Sequence, residues 1–285
     1  MFEAVINVSE GRDLDAIDQL KEACGRAMLD VHRDADHHRS VFTLASPSID
    51  KVNVAARALT TAAIGLFDLR SHQGVHPRIG VVDVVPFVAL DPRQAEVARA
   101  AALAFGSWAG TELGVPVFFY DEASTPRRSL PAVRRGAFSE CAPDVGPSEP
   151  HVTAGAMAVG ARQPMVAINL LTDLAPGQAR SVAETVRESS GGVRGVRALA
   201  FETPALGGVQ ISMNLVDLPA TSTEDACEAV RARVERRGGR VMDIELVGLA
   251  PRSERARWSD EFKHRSQIGD ECTVEGRYEL QADSR

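Results

Sequence analysis

At 285 residues, with 44% hydrophobic and 25% charged side chains, the chain has material for one large domain or two small ones, each with a buried core. A net charge of -7 speaks against nucleic acid, whose phosphates are held by many Lys and Arg contacts, and leaves room for a small anionic ligand held by a few local arginines. Four scattered cysteines (Cys24, Cys141, Cys227 and Cys272) without a C-x-x-C pair, no apolar run near the roughly 20 residues of a membrane span, and Glu3 where a signal peptide would be apolar or basic together predict a reduced cytoplasmic protein with no disulfide framework, zinc site or membrane contact.

In chain order, "FEAVINVSEG" predicts a strand, "DLDAIDQLKEACGR" a helix, "MLDVH" and "RSVFTLA" two strands, "SIDKVNVAARALTTAAIGLFDL" a long helix and "IGVVDVVPFVAL" a strand. A further helix, "PRQAEVARAAALAFGSWAGTEL", and a strand, "VPVFFYDE", are added to that set. The segment "CAPDVGPSEPHVTAGAMAVGAR" then runs rich in Gly, Pro and Ala without helical period, and reads as a connection between halves, too long to be mere linker in a compact protein.

The second half is clearer. "PMVAINLL" is a short apolar strand, and "PGQARSVAETVRES" starts with Pro and places Val182, Ala183 and Val186 on one helical face. "GVRALAFET" and "GGVQISMNLVD" read as two strands around a Gly turn. "STEDACEAVRARVERRGG" opens on Ser and Thr capping candidates, spaces Ala226, Val230 and Val234 helically, and stops at paired glycines, after which "VMDIELVGL" is a strand. The order is β-α-β-β-α-β, that of a ferredoxin-like unit, and the first half follows it with longer parts. The expected fold class is therefore α+β, with two ferredoxin-like subdomains over residues 1–161 and 162–285.

Polar residues gather where strands end. "NVSEGR" puts Asn7, Ser9, Glu10 and Arg12 after the first strand, "HRDADHHRS" fills the connection between the second and third, and "HQGVHPRIG" precedes the next. Three such loops can converge on one sheet edge and build a cleft. Each also has a plainer reading: Asn7 to Arg12 as a helix cap, His32, Asp34, Asp36, His37 and His38 as a solvated turn rather than a metal site, and His76 as a loop histidine satisfied by solvent. A turn needs Gly and Pro, but it does not need two histidines and an arginine, so "HQGVHPRIG" asks for a chemical explanation.

Ten motifs supply one. "NVSEGR", "MLDV", "HRSVFTL", "GVHPRIGVVDVVPF", "ELGVPVFFY", "DVGPS", "GAR", "AINLL", "QISMNLVD" and "LVGLAP" run in order through about residues 3 to 251 and resemble the glutamate formiminotransferase family, in its transferase part and not its cyclodeaminase part. The resemblance implies two α/β subdomains with a ligand tunnel between them, and transfer of a formimino group from N-formimino-L-glutamate to N5 of tetrahydrofolate, the co-substrate. It implies a homodimer as well.

Carried over by motif, the histidine of H-P-R is catalytic, which here is His76: the attacking amine must lose a proton and the departing glutamate nitrogen must gain one, and an imidazole does both near neutrality. Arg39 and Arg78 are carboxylate clamps, because a guanidinium meets a carboxylate bidentately, with structural ion pairs as the alternative role. Asn7, Glu10 and His32 join them as substrate-binding candidates. The folate-contacting stretch of the family falls on Gly146 to Gly155, so Gly146, Pro147, Ser148 and Gly155 are the cofactor-binding candidates, and no metal is expected.

Two departures bear on the donor. Bifunctional relatives carry an acid two residues after the Asp matching Asp30, where this chain has His32, leaving Asp34 or Asp36 as substitutes; and Glu149, His151 and Ala154 stand in the region where relatives place aromatics. Formyl transfer between 5-formyltetrahydrofolate and glutamate, or a non-catalytic folate- or amino-acid-binding sensor, are the alternatives this leaves open.

Overall fold

The computed structural model describes residues 1–35, 37–74, 78–203 and 206–283 of the chain, which forms two compact units, Met1–Gln163 and Pro164–Arg285. In the first, strands β1 (Phe2–Val8), β2 (Met28–Asp34), β3 (Arg39–Ser46) and β4 (Val82–Ala89) alternate with helices α1 (Leu14–Ala23) and α2 (Ile49–Leu66) in the predicted order. Helix α3 (Ala95–Glu112), β5 (Val117–Asp121), α4 (Leu130–Gly136) and β6 (Met157–Ala161) follow. The sheet order is β2-β3-β1-β4-β6-β5, and its first four strands form the ferredoxin-like set.

The period-2 residues Phe2, Ala4, Ile6 and Val8 of β1 face the main core, where they meet Phe42, Leu44 and Phe87. Helix α2 answers with Val52, Ala56, Leu59 and Ala63 at i, i+4, i+7 and i+11. Each large side chain so buried stabilises the unit by about 1.5–3 kcal/mol. Asp13 starts α1 by accepting the Ala16 N–H at 3.0 Å.

One expectation is corrected here. The segment from Cys141 to Arg162 is not only a connection, because its end, Met157–Ala161, is β6, which inserts in parallel between β4 and β5. It is buried on both faces, so it carries no alternation to read. On the second face of the sheet, α4 covers a small core of Val84, Phe118, Tyr120, Val133, Ala156 and Ala158.

The second unit repeats the plan with β7 (Val166–Thr172), α5 (Pro176–Val186), β8 (Val196–Thr203), β9 (Gly208–Leu215), α6 (Thr223–Glu235) and β10 (Val241–Val247), in sheet order β10-β7-β9-β8. Pro176 sits in the first turn of α5, and the Ser222 hydroxyl caps α6 by accepting the Asp225 N–H at 3.1 Å. The residues after Pro251 form α7 (Arg252–Arg255), α8 (Asp260–Ser266) and α9 (Val274–Asp283), and Trp258 and Phe262 enter the core of this unit. Buried Glu254 accepts from the Thr223 N–H at 2.6 Å and the Trp258 indole at 3.2 Å, tying that tail to the start of α6. Among the described residues no helix is long and apolar enough to cross a membrane.

Candidate active site

Strand register sets the first part of the site. His32 of β2 pairs with Val41 of β3, Val41 with Asn7 of β1, and Asn7 with Val84 of β4, so the four form one row on the second face of the sheet. The connection "HRDADHHRS" is shorter than expected: β3 begins at Arg39 as predicted, but β2 runs past its predicted end at His32 to Asp34, which places Asp34 on the sheet rather than in a loop. Asp34 pairs with Arg39 across the strands, while its own carboxylate accepts the His37 N–H at 2.9 Å and meets His37 Nδ1 at 2.5 Å. Asp36 lies outside the described residues.

Arg39 Nε donates to Asn7 Oδ1 at 3.0 Å. Burial lowers the pKa of its guanidinium to about 10, with Asp83 opposing that shift and Arg134 adding to it. Asp83 owes its position to a β-bulge: the β1–β4 register shifts between Asn7 and Val8, and Asp83 lies between Val82 and Val84 at that point. Its buried carboxylate accepts the Ile79 N–H at 2.8 Å and forms an ion pair with Arg134 of α4. Asp83 and Arg134 were not among the expected site residues. An acid inside the apolar run "VVDVV" was a usable signal for the first; nothing in "AVRRG" singled out the second.

The second part is built by three loops, which do converge. Glu10 Oε1 accepts the backbone N–H groups of Gly11 (2.8 Å), Arg12 (2.7 Å) and Asp13 (3.0 Å), so Glu10 holds the turn that leads into α1, whose N-cap is Asp13. The same oxygen lies 3.3 Å from His38 Nε2. His38, in the left-handed region at φ 51, meets His72 with Nδ1 and Nε2 2.6 Å apart and ring centroids 4.2 Å apart. Arg78 folds back over its own loop, donating to the carbonyls of Gly74 at 3.1 Å and His72 at 3.5 Å. The catalytic candidate His76 lies outside the described residues, as does Pro77 beside it.

The Gly-rich segment braces the same loop. Ala156 N–H donates to the Ile79 carbonyl and Val81 N–H to the Ala154 carbonyl, both at 2.9 Å. Gly155, at φ +71, lies so close to Ile79 and Gly80 that a Cβ there would sit 2.3 Å from the Ile79 oxygen. His151 is a local brace too, its Nδ1 accepting the Ala154 N–H at 3.0 Å. Gly146 packs elsewhere, against Gly110 of α3, and Pro147 and Ser148 are exposed beyond it. Of the four folate candidates, Gly155 alone therefore touches the loop. It lines a cleft of about 350 Å³ with Leu69, Ile79, Arg134, Phe138 and His151.

Among the described residues no three His, Cys, Asp or Glu side chains are grouped to hold a metal. What the arrangement offers is guanidinium groups and an imidazole pair beside a loop that contains a further histidine. Burial is the main cause lowering the pKa of both His38 and His72 below 6.5; for His38 the neighbouring His72 adds to it, for His72 the His38 carbonyl opposes it, and for both Glu10 opposes and Arg12 and Arg78 reinforce the shift. A folded-state pKa below the unfolded value means that the contribution is whole above pH 6.5 and is lost as pH falls through the lower folded values. Urea unfolding is expected to show a loss of stability as pH falls below 6.5 that is smaller in His38→Asn. Equal losses in both proteins would assign the effect to other groups.

Comparison with known proteins gives matches along both units. The family model of the formiminotransferase domain, N-terminal subdomain, matches residues 1–162, and that of the formiminotransferase domain matches residues 165–269. A glutamate formimidoyltransferase of Thermoplasma acidophilum is 36% identical over 269 residues, covering 88% of each chain. One of Streptococcus pyogenes is 34% identical over 267 residues, covering 88% of this chain and 89% of that one. The formimidoyltransferase-cyclodeaminase of Rattus norvegicus is 32% identical over 272 residues, 88% of this chain and 50% of the rat protein.

Proposed function

The chain belongs to the formiminotransferase family, and from that premise we infer that it is a glutamate formimidoyltransferase, moving the formimino group of N-formimino-L-glutamate to N5 of tetrahydrofolate. The observation that carries this reading is the similarity to two glutamate formimidoyltransferases over 88% of the chain. The folate nitrogen attacks the amidine carbon, a tetrahedral intermediate forms, and the bond from that carbon to the glutamate nitrogen breaks. One proton leaves the attacking nitrogen and one reaches the departing nitrogen, and His76 moves them.

The anionic ends of the ligands need cationic partners. Arg39 suits that role by its place on the sheet face beside Asn7 and in the row next to His32, and Arg78 is the second candidate, donating to carbonyls of its own loop. A guanidinium whose pKa burial has lowered gains from a carboxylate brought to it. The cleft formed by Ile79, Phe138 and Gly155 supplies an apolar wall with polar groups at its edge, the chemistry that a pterin ring requires.

Purified protein with tetrahydrofolate and N-formimino-L-glutamate is expected to give the ultraviolet change of the substituted folate, and no change with this donor would refute the assignment. In the same assay, Arg39→Ala is expected to raise the apparent KM for the glutamate-bearing donor about 10-fold to 10²-fold, the equivalent of one charge-assisted pair. A matching fall in melting temperature and kcat with KM unchanged would make Arg39 structural.

A further inference from the structure

Two histidines meet here in a way that fixes where their protons are. Glu10 Oε1 accepts three backbone N–H groups and is an acceptor only, so the nitrogen facing it at 3.3 Å, His38 Nε2, carries a hydrogen. A neutral imidazole has one N–H, so His38 Nδ1 is a bare lone pair. At 2.6 Å from it, His72 Nε2 must be the donor, and the same nitrogen faces the His38 carbonyl oxygen at 2.9 Å, a second acceptor. His72 Nδ1 is then bare as well. It is buried, and it has no hydrogen-bond partner among the described residues.

We propose that His38, anchored on Glu10, is a positioning residue for the transfer reaction, holding His72 in the Nε2–H tautomer so that its buried Nδ1 stands ready as a proton acceptor within the His72–Gly80 loop. The proposal rests on the formimidoyltransferase reading. A proton arriving at Nδ1 makes His72 cationic. His38 Nδ1 goes on accepting the Nε2–H of that ring, so His72 keeps its orientation while the proton is held at Nδ1 and given up again. The charged groups around the pair are Glu10, which favours the cation, and Arg12 and Arg78, which oppose it. Burial keeps both rings neutral near pH 7, the state from which a proton can be accepted.

The readout that needs no substrate is the ring tautomer. Nitrogen-15 NMR of the full chain is expected to show His72 protonated at Nε2 and bare at Nδ1, and a His72 protonated at Nδ1 instead would overturn the proposal. Two variants separate positioning from simple packing. His38→Asn keeps an acceptor at the δ position and tolerates the positive φ, and so is expected to preserve the His72 tautomer and to keep kcat within roughly threefold. His38→Phe keeps a ring against His72 but removes both nitrogens, and is expected to lower kcat on the order of 10-fold to 10²-fold with little change in KM. Equal kcat in the two variants, at either level, would overturn the positioning role. If His38→Phe does not fold, the tautomer in wild type and in His38→Asn decides. Absence of transfer in the wild type would refute the functional reading and the kinetic half of the proposal, while the tautomer would still be judged by itself.

Discussion

His76→Ala is expected to lower turnover by roughly 10²-fold to 10⁴-fold while leaving the fold and tetrahydrofolate binding intact. The chemistry asks for a group that both takes and gives a proton near neutrality, and His76 stands in the motif "HPR" of the loop that the rest of the site braces. The described residues on both sides of His76 tie that loop down. Its start is tied by the contact of His72 with His38, and its end by the Ile79 N–H bond to Asp83 and the Ile79 carbonyl bond from Ala156. Loss of an imidazole from such a loop removes chemistry and spares structure. The check is single-turnover kinetics alongside a folate titration of the same preparation. Turnover equal to wild type would take His76 out of the mechanism, and loss of folate affinity in step with turnover would make it a binding residue.

Asp83→Ala is expected to destabilise the chain by about 3 kcal/mol. Asp83 is 2% exposed, and its carboxylate serves the Arg134 guanidinium and the Ile79 N–H at once. Removing it leaves the Arg134 cation without the carboxylate it pairs with and takes away the charge that opposes the lowering of the Arg39 pKa. The partly exposed Arg134 recovers some solvation, which keeps the cost at the low end of the range for a broken buried pair. Asp83→Asn retains an acceptor for Ile79 and is expected to cost less. Urea unfolding of the two variants, compared at one pH, measures the difference. Identical midpoints for Asp83→Ala and wild type would mean that the ion pair contributes nothing net.

The local elements of this protein were determined by its sequence. Alternating Phe2, Ala4, Ile6 and Val8 make a strand with one buried face, and Val182, Ala183 and Val186, or Ala226, Val230 and Val234, make helices with one buried stripe, because backbone geometry repeats every two or about 3.6 residues. Pro176 and Ser222 marked helix starts for equally local reasons. With the elements in hand, the β-α-β-β-α-β order of each unit followed, as did the gathering of the three polar segments. Tertiary structure alone decided the rest. Strand β6 carries no alternation, because parallel neighbours and two buried faces leave no polar side to mark. The pairs that make the site join residues distant in the chain: Asn7 with Arg39, His38 with His72, and Asp83 with Arg134 are 32, 34 and 51 positions apart. No periodicity spans such gaps. Those partners are chosen by sheet register, by a bulge in β4 and by the placing of α4, each of which exists only once the whole unit has closed.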